Sequence, residues 1–195
     1  GAGSFFIPFG TKLGKTTKPN FLRGYGIWGG IDRFEPPEWL KKTPERKTGF
    51  LIGHGEVLPS PDNKVTISEK VDQWGIPQLI INVDYDNNDD KMVEDYLDQF
   101  SEMFTKAGFK NIKTRDNSKR KPGNDIHEMG GVRMGNDPKS SLLNKWNQLH
   151  SCKNVFVTDG ACMTSTSTQN PSLTFMAITA RAANYAINEL KKNNL

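Results

Sequence analysis

The first 86 residues of the chain consist of short β-rich runs separated by Pro and Gly, with no helical pattern between them. Consecutive strands without an intervening helix pair most readily as antiparallel neighbours, because a parallel pair needs a crossover of a dozen or more residues. Residues 60–63, Ser-Pro-Asp-Asn, are a typical turn sequence and predict a hairpin connection between the runs on either side. The five predicted strands cover residues 4–9, 24–28, 49–58, 64–68 and 79–85.

A long helix is predicted after these strands, over residues 89–108. Its apolar residues recur at helical spacing and form one stripe, which is typical of a helix that packs on a core. One of residues 87–89 caps its start, and Gly108 ends it in the left-handed conformation. A second helix is predicted over residues 171–192, and its small side chains allow close packing against a sheet. The pattern favours an α+β fold, with a mostly antiparallel sheet and helices on one face.

Three weaker elements are predicted between the two helices. Residues 111–114 form a short strand, residues 141–149 form a helix or an irregular cover, and residues 154–158 form a short buried strand. The two cysteines flank this last strand. A strand between Cys152 and Cys162 separates their Cα atoms by more than about 7 Å, which is too far for a disulfide, so both are expected to be free thiols.

Charge and motifs exclude several classes of protein. The formal net charge is +4, with basic residues spread along the chain, which favours a solvated surface over a nucleic-acid patch. We therefore expect no nucleic-acid partner. No run of about 20 apolar residues is present, so no membrane-spanning segment is expected. The chain lacks the Gly-x-Ser-x-Gly motif of hydrolases, a P-loop, and a Gly-x-Gly-x-x-Gly fingerprint after a predicted strand.

His127 stands in the sequence HEMGGVRMG. A lone histidine is more often structural than functional, but the glycines that follow this one keep space open and let backbone approach a ligand. A zinc site of the His-Glu-x-x-His type is excluded, since position 131 holds Gly131, and no other metal site is predicted. The residues alone leave a structural and a functional histidine as open alternatives.

Two residue pairs in the last part of the chain carry the same ambiguity. Asn170-Pro171 is a typical helix start, which capping alone explains, but the free N–H groups there also suit an anion, and the Asn170 amide can turn to a substrate oxygen. Asp159-Gly160 is a common turn, but at the carboxyl edge of an α/β sheet the same pair lies where ligands bind. Each pair has a structural and a ligand-binding interpretation.

The order of three segments, HEMGGVRMG, NVFVTDGA and QNPSLTFMAITARAANYA, resembles the C-terminal portion of the glucose–methanol–choline (GMC) oxidoreductases. These are FAD-dependent alcohol and sugar oxidases and dehydrogenases. The earlier stretch GEVLPSPDNKVTISEKVDQWGIPQLIINVDYDNND looks like the substrate-domain sheet of the same family. The resemblance covers about residues 50–192, and its specificity lies in the order of the motifs.

The resemblance implies an enzyme that oxidises a hydroxyl group of a sugar or polyol. His127 matches the family's active-site histidine, which takes the proton of the substrate hydroxyl while hydride passes to flavin N5. Asn170 matches the second position of the catalytic pair and is expected to hydrogen-bond the same oxygen. The positions that match cofactor contacts are Asp159, Gly160 and Ala161 along the FAD, and Pro171, Ser172 and Leu173 near flavin N1 and O2.

The chain departs from the family in lacking the dinucleotide fingerprint. The resemblance then implies a substrate-binding domain over residues 1–120. Over residues 121–195 it implies an active-site loop and a strand–helix remnant of a Rossmann-like FAD domain. We expect the missing N-terminal FAD-binding half to be a partner, and the chain alone to be inactive and without tightly bound FAD. The exposed C-terminal strand is expected to favour self-association.

The alternative interpretation is a non-catalytic antiparallel module that binds a carbohydrate or a protein. Its support is the absence of the cofactor fingerprint from the sequence. A Gly-x-Gly-x-x-Gly in the genomic reading frame upstream of Ala2 favours the enzyme, and a start codon near Ala2 favours the module.

Overall fold

The computed structural model describes residues 3–8, 20–31, 48–116, 122, 127–165 and 167–195. The chain divides into two compact units. Unit 1 comprises Gly1–Glu56 and Asp86–Lys119, and unit 2 comprises Val57–Tyr85 and Arg120–Leu195. Residues 57–85 therefore group with the C-terminal residues.

Unit 1 contains a three-stranded antiparallel sheet and a helix. The strands are β1 (Gly3–Ile7), β2 (Tyr25–Ile31) and β3 (Gly49–Gly55), hydrogen-bonded in the order β1-β2-β3. Helix α1 (Asn87–Lys106) packs against β3. The antiparallel pairing confirms the prediction from the uninterrupted series of β-rich runs.

Two glycines of β3 determine how closely α1 approaches the sheet. A Cβ atom on Gly53 would lie 2.9 Å from the ring of Tyr96, and one on Gly55 would lie 2.6 Å from Cε of Met92. Both separations are shorter than ordinary van der Waals contact, so larger residues would push the helix away. The glycines of this strand thus allow close packing of α1.

The core of unit 1 centres on Tyr25, which is 1% exposed and packs edge-on against Tyr96 with ring centroids 5.5 Å apart. Its hydroxyl donates to Oδ2 of Asp95 at 2.5 Å and so joins β2 to α1. Burial raises the pKa of Tyr25 well above its usual range, and the neighbouring Asp95 carboxylate adds to that rise. The other buried members of the cluster are Phe21, Ile27, Met92 and Phe100.

The N-cap of helix α1 lies one residue before the predicted range of 87–89. Asp86 is the N-cap: its carboxylate accepts from the main-chain N–H groups of Asn88 and Asp89, while the Asp89 carboxylate accepts from Asp86 N. This reciprocal arrangement is a capping box. The prediction of a cap within residues 87–89 was therefore wrong by one position, because the carboxylates of residues 86 and 89 together accept from three main-chain amides. Gly108 has a φ of 80° after the last turn, as predicted.

Unit 2 begins with a two-stranded antiparallel sheet. Its strands are β4 (Lys64–Val71) and β5 (Pro77–Asn82), with Val65 opposite Ile81 and Ile67 opposite Leu79. The predicted hairpin at residues 60–63 was wrong, because β3 pairs with β2 while β4 pairs with the strand that follows it.

The connection between β4 and β5 explains this pairing. The Asp72 carboxylate accepts from the main-chain N–H groups of Trp74 and Ile76, at 2.8 and 3.0 Å. Asp72 N also donates to Ile76 O at 2.9 Å, and Gly75 adopts a φ of 79°. These local bonds close the turn between β4 and β5. Residues 60–63 also form a turn, with Asn63 N donating to Ser60 O at 3.1 Å, but β3 and β4 do not pair across it.

The rest of unit 2 contains little regular structure before helix α2 (Ser172–Lys191). In unit 1, the predicted strand at 111–114 is absent, although the structure describes all four residues. The predicted strand at 154–158, also fully described, reduces to a single bridge between Gln148 and Phe156. Residues 141–149 form the irregular cover that was one of the two alternatives.

The predicted α+β class with antiparallel sheets is confirmed, while the Rossmann-like remnant stays a prediction. Cys152 and Cys162 are free thiols, as predicted. Within the described ranges, no helix is long and apolar enough to cross a membrane.

Candidate active site

The segment that follows His127 is hydrogen-bonded to the turn after the NVFVT run. Alternate amides of residues 130–134 donate to three successive carbonyls of the 3₁₀ turn Gly160–Cys162. These three hydrogen bonds form a ladder that joins the HEMGGVRMG and NVFVTDGA segments into one local structure. The spacing of the two segments along the chain did not reveal this contact. The N···O distances are 3.2 Å for Gly130 to Gly160, 3.0 Å for Val132 to Ala161 and 3.1 Å for Met134 to Cys162.

Gly160 lies against the residues just after His127. A Cβ atom at this position would be 2.8 Å from Sδ of Met129 and 3.0 Å from the carbonyl oxygen of Glu128. Only a residue without a side chain lets the turn approach this closely. The glycine of the Asp-Gly pair therefore has a packing role within the chain.

Asp159 supports the same turn. Its carboxylate accepts from Ala161 N at 3.0 Å and caps the 3₁₀ turn as the N-cap residue. The structural interpretation of Asp159-Gly160 thus accounts for the pair. The pair's position along a bound cofactor is untested by these contacts and stays a prediction.

The start of α2 has no side-chain cap. Pro171 is the N-cap residue, and no described side chain accepts a hydrogen bond from the first turn. The Asn170 side chain is exposed and makes no hydrogen bond to the part of the chain that the structure describes. Helix capping, one of the two interpretations of the Asn-Pro pair, is therefore not what the Asn170 amide does here.

His127 lies at the start of the anchored segment, half-buried, with a φ of 74°. A left-handed backbone is uncommon for residues other than Gly, and such conformations are concentrated at functional sites. Gly130 and Gly131 follow with φ values of 94° and 92°. His127 and Asn170 both belong to unit 2, and no hydrogen bond joins the Asn170 amide to the His127 ring.

Asn147, which the sequence analysis did not single out, is the polar centre of this unit. It is fully buried, with a φ of 64°, and its Nδ2 donates to Val157 O at 3.0 Å. Its Oδ1 accepts from Nη2 of Arg181 on α2 at 2.9 Å. Burial raises the pKa of the Cys162 thiol, and a hydrogen bond with the Asn147 side chain offsets part of that rise. An asparagine among polar loop residues has no periodicity that would have marked it.

Aromatic packing holds α2 on the same irregular segment. The rings of Trp146 and Tyr185 are stacked, with centroids 4.8 Å apart and planes inclined by 6°. Phe156 meets Tyr185 edge-on at 6.3 Å. Ala182, one turn before Tyr185, is 2% exposed. This face of α2 therefore packs against residues 146–156.

The first turn of α2 suits an electronegative group. The amides of Ser172 and Leu173 have no partner within the helix, both residues are exposed, and no acidic residue lies in the turn. Hydrogen-bond donors without a competing carboxylate fit the pyrimidine edge of a flavin, where reduction places negative charge. For metals, the described residues contain no group of three or more His, Cys, Asp or Glu side chains that could hold an ion.

Comparison with known proteins identifies the family. The sequence profile of the GMC oxidoreductases matches residues 59–179, and the chain belongs to that family. The resemblance to the family's C-terminal portion is thus confirmed.

Several curated proteins are similar to the chain. It is 34% identical over 132 residues to 2-methyl-1,2-propanediol dehydrogenase of Mycolicibacterium austroafricanum, covering 67% of this chain and 24% of that protein. It is 32% identical over 153 residues to the fructose dehydrogenase large subunit of Gluconobacter japonicus, covering 73% of this chain and 26% of the subunit. Paromamine 6'-oxidase of Streptomyces fradiae is 30% identical over 132 residues, with 68% and 24% covered. The chain therefore spans about a quarter of the length of these relatives.

Proposed function

We propose that the chain carries the substrate-side part of an FAD-dependent oxidoreductase that oxidises a hydroxyl group of a sugar or polyol. The observation that carries the proposal is the Asn170 amide, which has no described hydrogen-bond partner and stands beside an uncapped helix start. An exposed amide with no structural task is available to a substrate oxygen. Membership of the GMC oxidoreductases supports the reaction type.

His127 is the proposed general base. As a neutral imidazole it accepts the proton of the substrate hydroxyl, which leaves electron density on the oxygen as the C–H bond breaks. The Asn170 side-chain NH₂ donates to the same oxygen and holds the hydroxyl near the histidine ring. FAD, when bound, supplies the acceptor for the hydride at N5. Together the two side chains orient one oxygen and move one proton.

The proposed cofactor contacts lie on two elements of unit 2. The main-chain amides of Ser172 and Leu173, after Pro171, would face the pyrimidine edge of the flavin. A helix start stabilises negative charge there by about 0.3–1 kcal/mol, and by more when it is partly buried. The 3₁₀ turn and its N-cap, residues 159–161, would lie along the FAD. Gly160 keeps this turn close to the His127 segment.

The substrate class follows from the relatives and is proposed for this chain by analogy. By their names, one is a dehydrogenase of a propanediol, one belongs to a fructose dehydrogenase, and one oxidises paromamine at its 6' position. The first two names specify a diol and a sugar. We therefore propose a polyhydroxylated substrate.

We further propose that FAD is held by an N-terminal half that carries the dinucleotide fingerprint, and that the 195-residue chain alone is inactive. Flavin absorbance of the purified chain, read together with dye-linked oxidation of a polyol panel, tests this. We expect less than stoichiometric flavin and no turnover. Stoichiometric bound flavin with turnover would refute the proposal.

The roles of the two side chains are tested in the protein that includes the FAD-binding half. Stopped-flow measurement of flavin reduction by substrate should show a rate about 10²–10⁴-fold lower for His127→Ala, the usual contribution of a general base. For Asn170→Ala we expect a loss of about 10²–10³-fold, as for removal of one donor to a developing oxyanion. His150→Ala is the matched control, because His150 Nε2 lies 3.2 Å from Ser141 Oγ within the loop. Unchanged reduction in His127→Ala would exclude the histidine as base.

A further inference from the structure

We propose that Asn147 and Arg181 are positioning residues. They fix the position of the segment that begins at His127 relative to α2, the helix that begins after Asn170. The inference rests on the proposed function, in which these two side chains act on the same substrate oxygen. Neither Asn147 nor Arg181 touches substrate in this scheme. Their effect is carried through the residues that they join.

Asn147 is hydrogen-bonded to Val157, in the segment that leads to the 3₁₀ turn. Its side-chain Nδ2 donates to Val157 O, and its main-chain O accepts from Val157 N, each at 3.0 Å. The main-chain bond fixes the position of residue 147, and the side-chain bond fixes the orientation of its amide. Because the side chain is fully buried, water cannot replace any of these partners.

Arg181, on α2, contacts both Asn147 and the segment that follows His127. Its Nη2 donates to Asn147 Oδ1 at 2.9 Å and lies 3.7 Å from Sδ of Met134. Met134 is the last residue of the ladder, and its N–H donates to Cys162 O at 3.1 Å. One guanidinium therefore contacts the asparagine that holds the turn and the methionine that ends the segment from His127.

The helix transmits this position to Asn170. Arg181 lies about two and a half turns from the start of α2, and a helix of this length is stiff. The hydrogen bond from Thr179 Oγ1 to Thr158 Oγ1, at 2.9 Å, adds a second polar contact between α2 and the residues that lead to the 3₁₀ turn. The stacked Trp146 and Tyr185 rings allow sliding, since dispersion has little directionality. The hydrogen bond from Arg181 is directional, so it fixes both the translation of α2 along its axis and its rotation about that axis.

Hydrogen exchange measured by mass spectrometry on the 195-residue chain tests this cross-connection. Arg181→Met removes the bond from the helix side, and we expect faster exchange in peptides covering residues 129–135. Asn147→Gly keeps the left-handed backbone and removes the side chain, and we expect faster exchange at the start of α2. Each increase should be about fivefold to tenfold, the factor that corresponds to one net hydrogen bond. Asn147→Asp and Arg181→Lys are the milder variants if either protein does not fold.

Two variants on exposed parts of α2 and its end are matched controls. Asn193→Gly replaces another asparagine with a positive φ, of 58°, and Lys191→Met removes another long cation from the helix. Neither should change exchange in the peptides covering residues 129–135. If Arg181→Met affects only α2, and Asn147→Gly affects only its own loop, the proposed connection is wrong.

Kinetics in the protein with its FAD-binding half separate positioning from stability. We expect Arg181→Lys to lower kcat about tenfold or more with KM changed less than about twofold, because small misplacement of reacting groups reduces rate more than binding. An unchanged kcat would overturn the positioning role. If His127→Ala kept full activity, the proposed function would fail, while the exchange experiment would still decide whether Asn147 and Arg181 join the two segments.

Discussion

The Cα of Gly160 faces Met129 so closely that a Cβ atom there would lie 2.8 Å from the methionine Sδ. The carbonyl oxygen of Glu128 would be 3.0 Å from the same atom. The methionine side chain can move, but the main-chain carbonyl cannot move without displacing the residue next to His127. This contact explains why the turn after the NVFVT run carries a glycine.

We expect Gly160→Ala to destabilise unit 2 by about 1–3 kcal/mol, the usual cost of overpacking a close contact. Urea denaturation of the 195-residue chain, followed by hydrogen exchange of unit 2 peptides, measures the change. Gly24→Ala is the control, because nothing lies within 4 Å of a Cβ at that position. Equal effects of the two substitutions would show that the Met129 contact is not responsible.

Asn170→Ala should leave the stability of the chain nearly unchanged, within about 0.5 kcal/mol, because the amide caps no helix. Asp86→Ala, at the start of α1, should lower the free energy of unfolding by about 0.5–2 kcal/mol through loss of the capping box. Thermal and urea unfolding of both variants give the comparison. A loss at Asn170 as large as at Asp86 would show that Asn170 supports the helix after all.

Local signals in the sequence predicted the elements better than their partners. The β-rich runs and the stripe of the first helix depend on neighbouring residues, so five strands and two helices were found within a few residues of their bounds. The hairpin at residues 60–63 was wrong because a local turn does not decide which strands pair. Asn63 N donates to Ser60 O there, yet β4 pairs with β5 across the turn that the Asp72 side chain closes. The run at 154–158 looked like a strand because it is apolar, yet it makes only one bridge, at Phe156.

The candidate site was predictable to the extent that it follows motif order. His127 and Asn170 stand in recognisable segments. The ladder, by contrast, joins amides of residues 130–134 to carbonyls of the 3₁₀ turn, which lie about 30 residues further along the chain. No spacing rule predicts such bonds. Asn147 was missed because a buried polar residue acquires its role only from its surroundings, in this case Val157 and Arg181.

The hydrogen bond from Tyr25 to Asp95 should contribute about 1.5–3 kcal/mol to unit 1, as expected for a buried hydroxyl that donates to a carboxylate. A double-mutant cycle with Tyr25→Phe and Asp95→Asn, followed by urea denaturation, isolates the pair. Asp98→Asn on the exposed side of α1 is the control for loss of a carboxylate. Strictly additive effects of the two substitutions would mean that the bond contributes nothing.

The buried carboxyl of Asp89 should make unit 1 more stable in mild acid than at neutral pH. Asp89 is 4% exposed, and its Oδ1 has no hydrogen-bond partner among the described residues. Burial raises its pKa above the usual value, and the charges of Asp86 and Asp90 add to the rise, while the hydrogen bond from Asp86 N opposes it. The folded chain therefore binds this proton more tightly than the unfolded chain does.

The sign of the pH dependence follows from that difference. Between the ordinary Asp pKa, about 3.9, and the raised value in the folded chain, the folded state holds more protons, so the free energy of unfolding falls as pH rises through this window. Asp89→Asn keeps an acceptor for Asp86 N and removes the charge, so it should abolish this fall and gain about 1 kcal/mol at neutral pH. Asp90→Asn, on the exposed side of the same turn, should retain the fall. Urea denaturation at a series of pH values measures both slopes, and an unaltered slope in Asp89→Asn would assign the effect to another group.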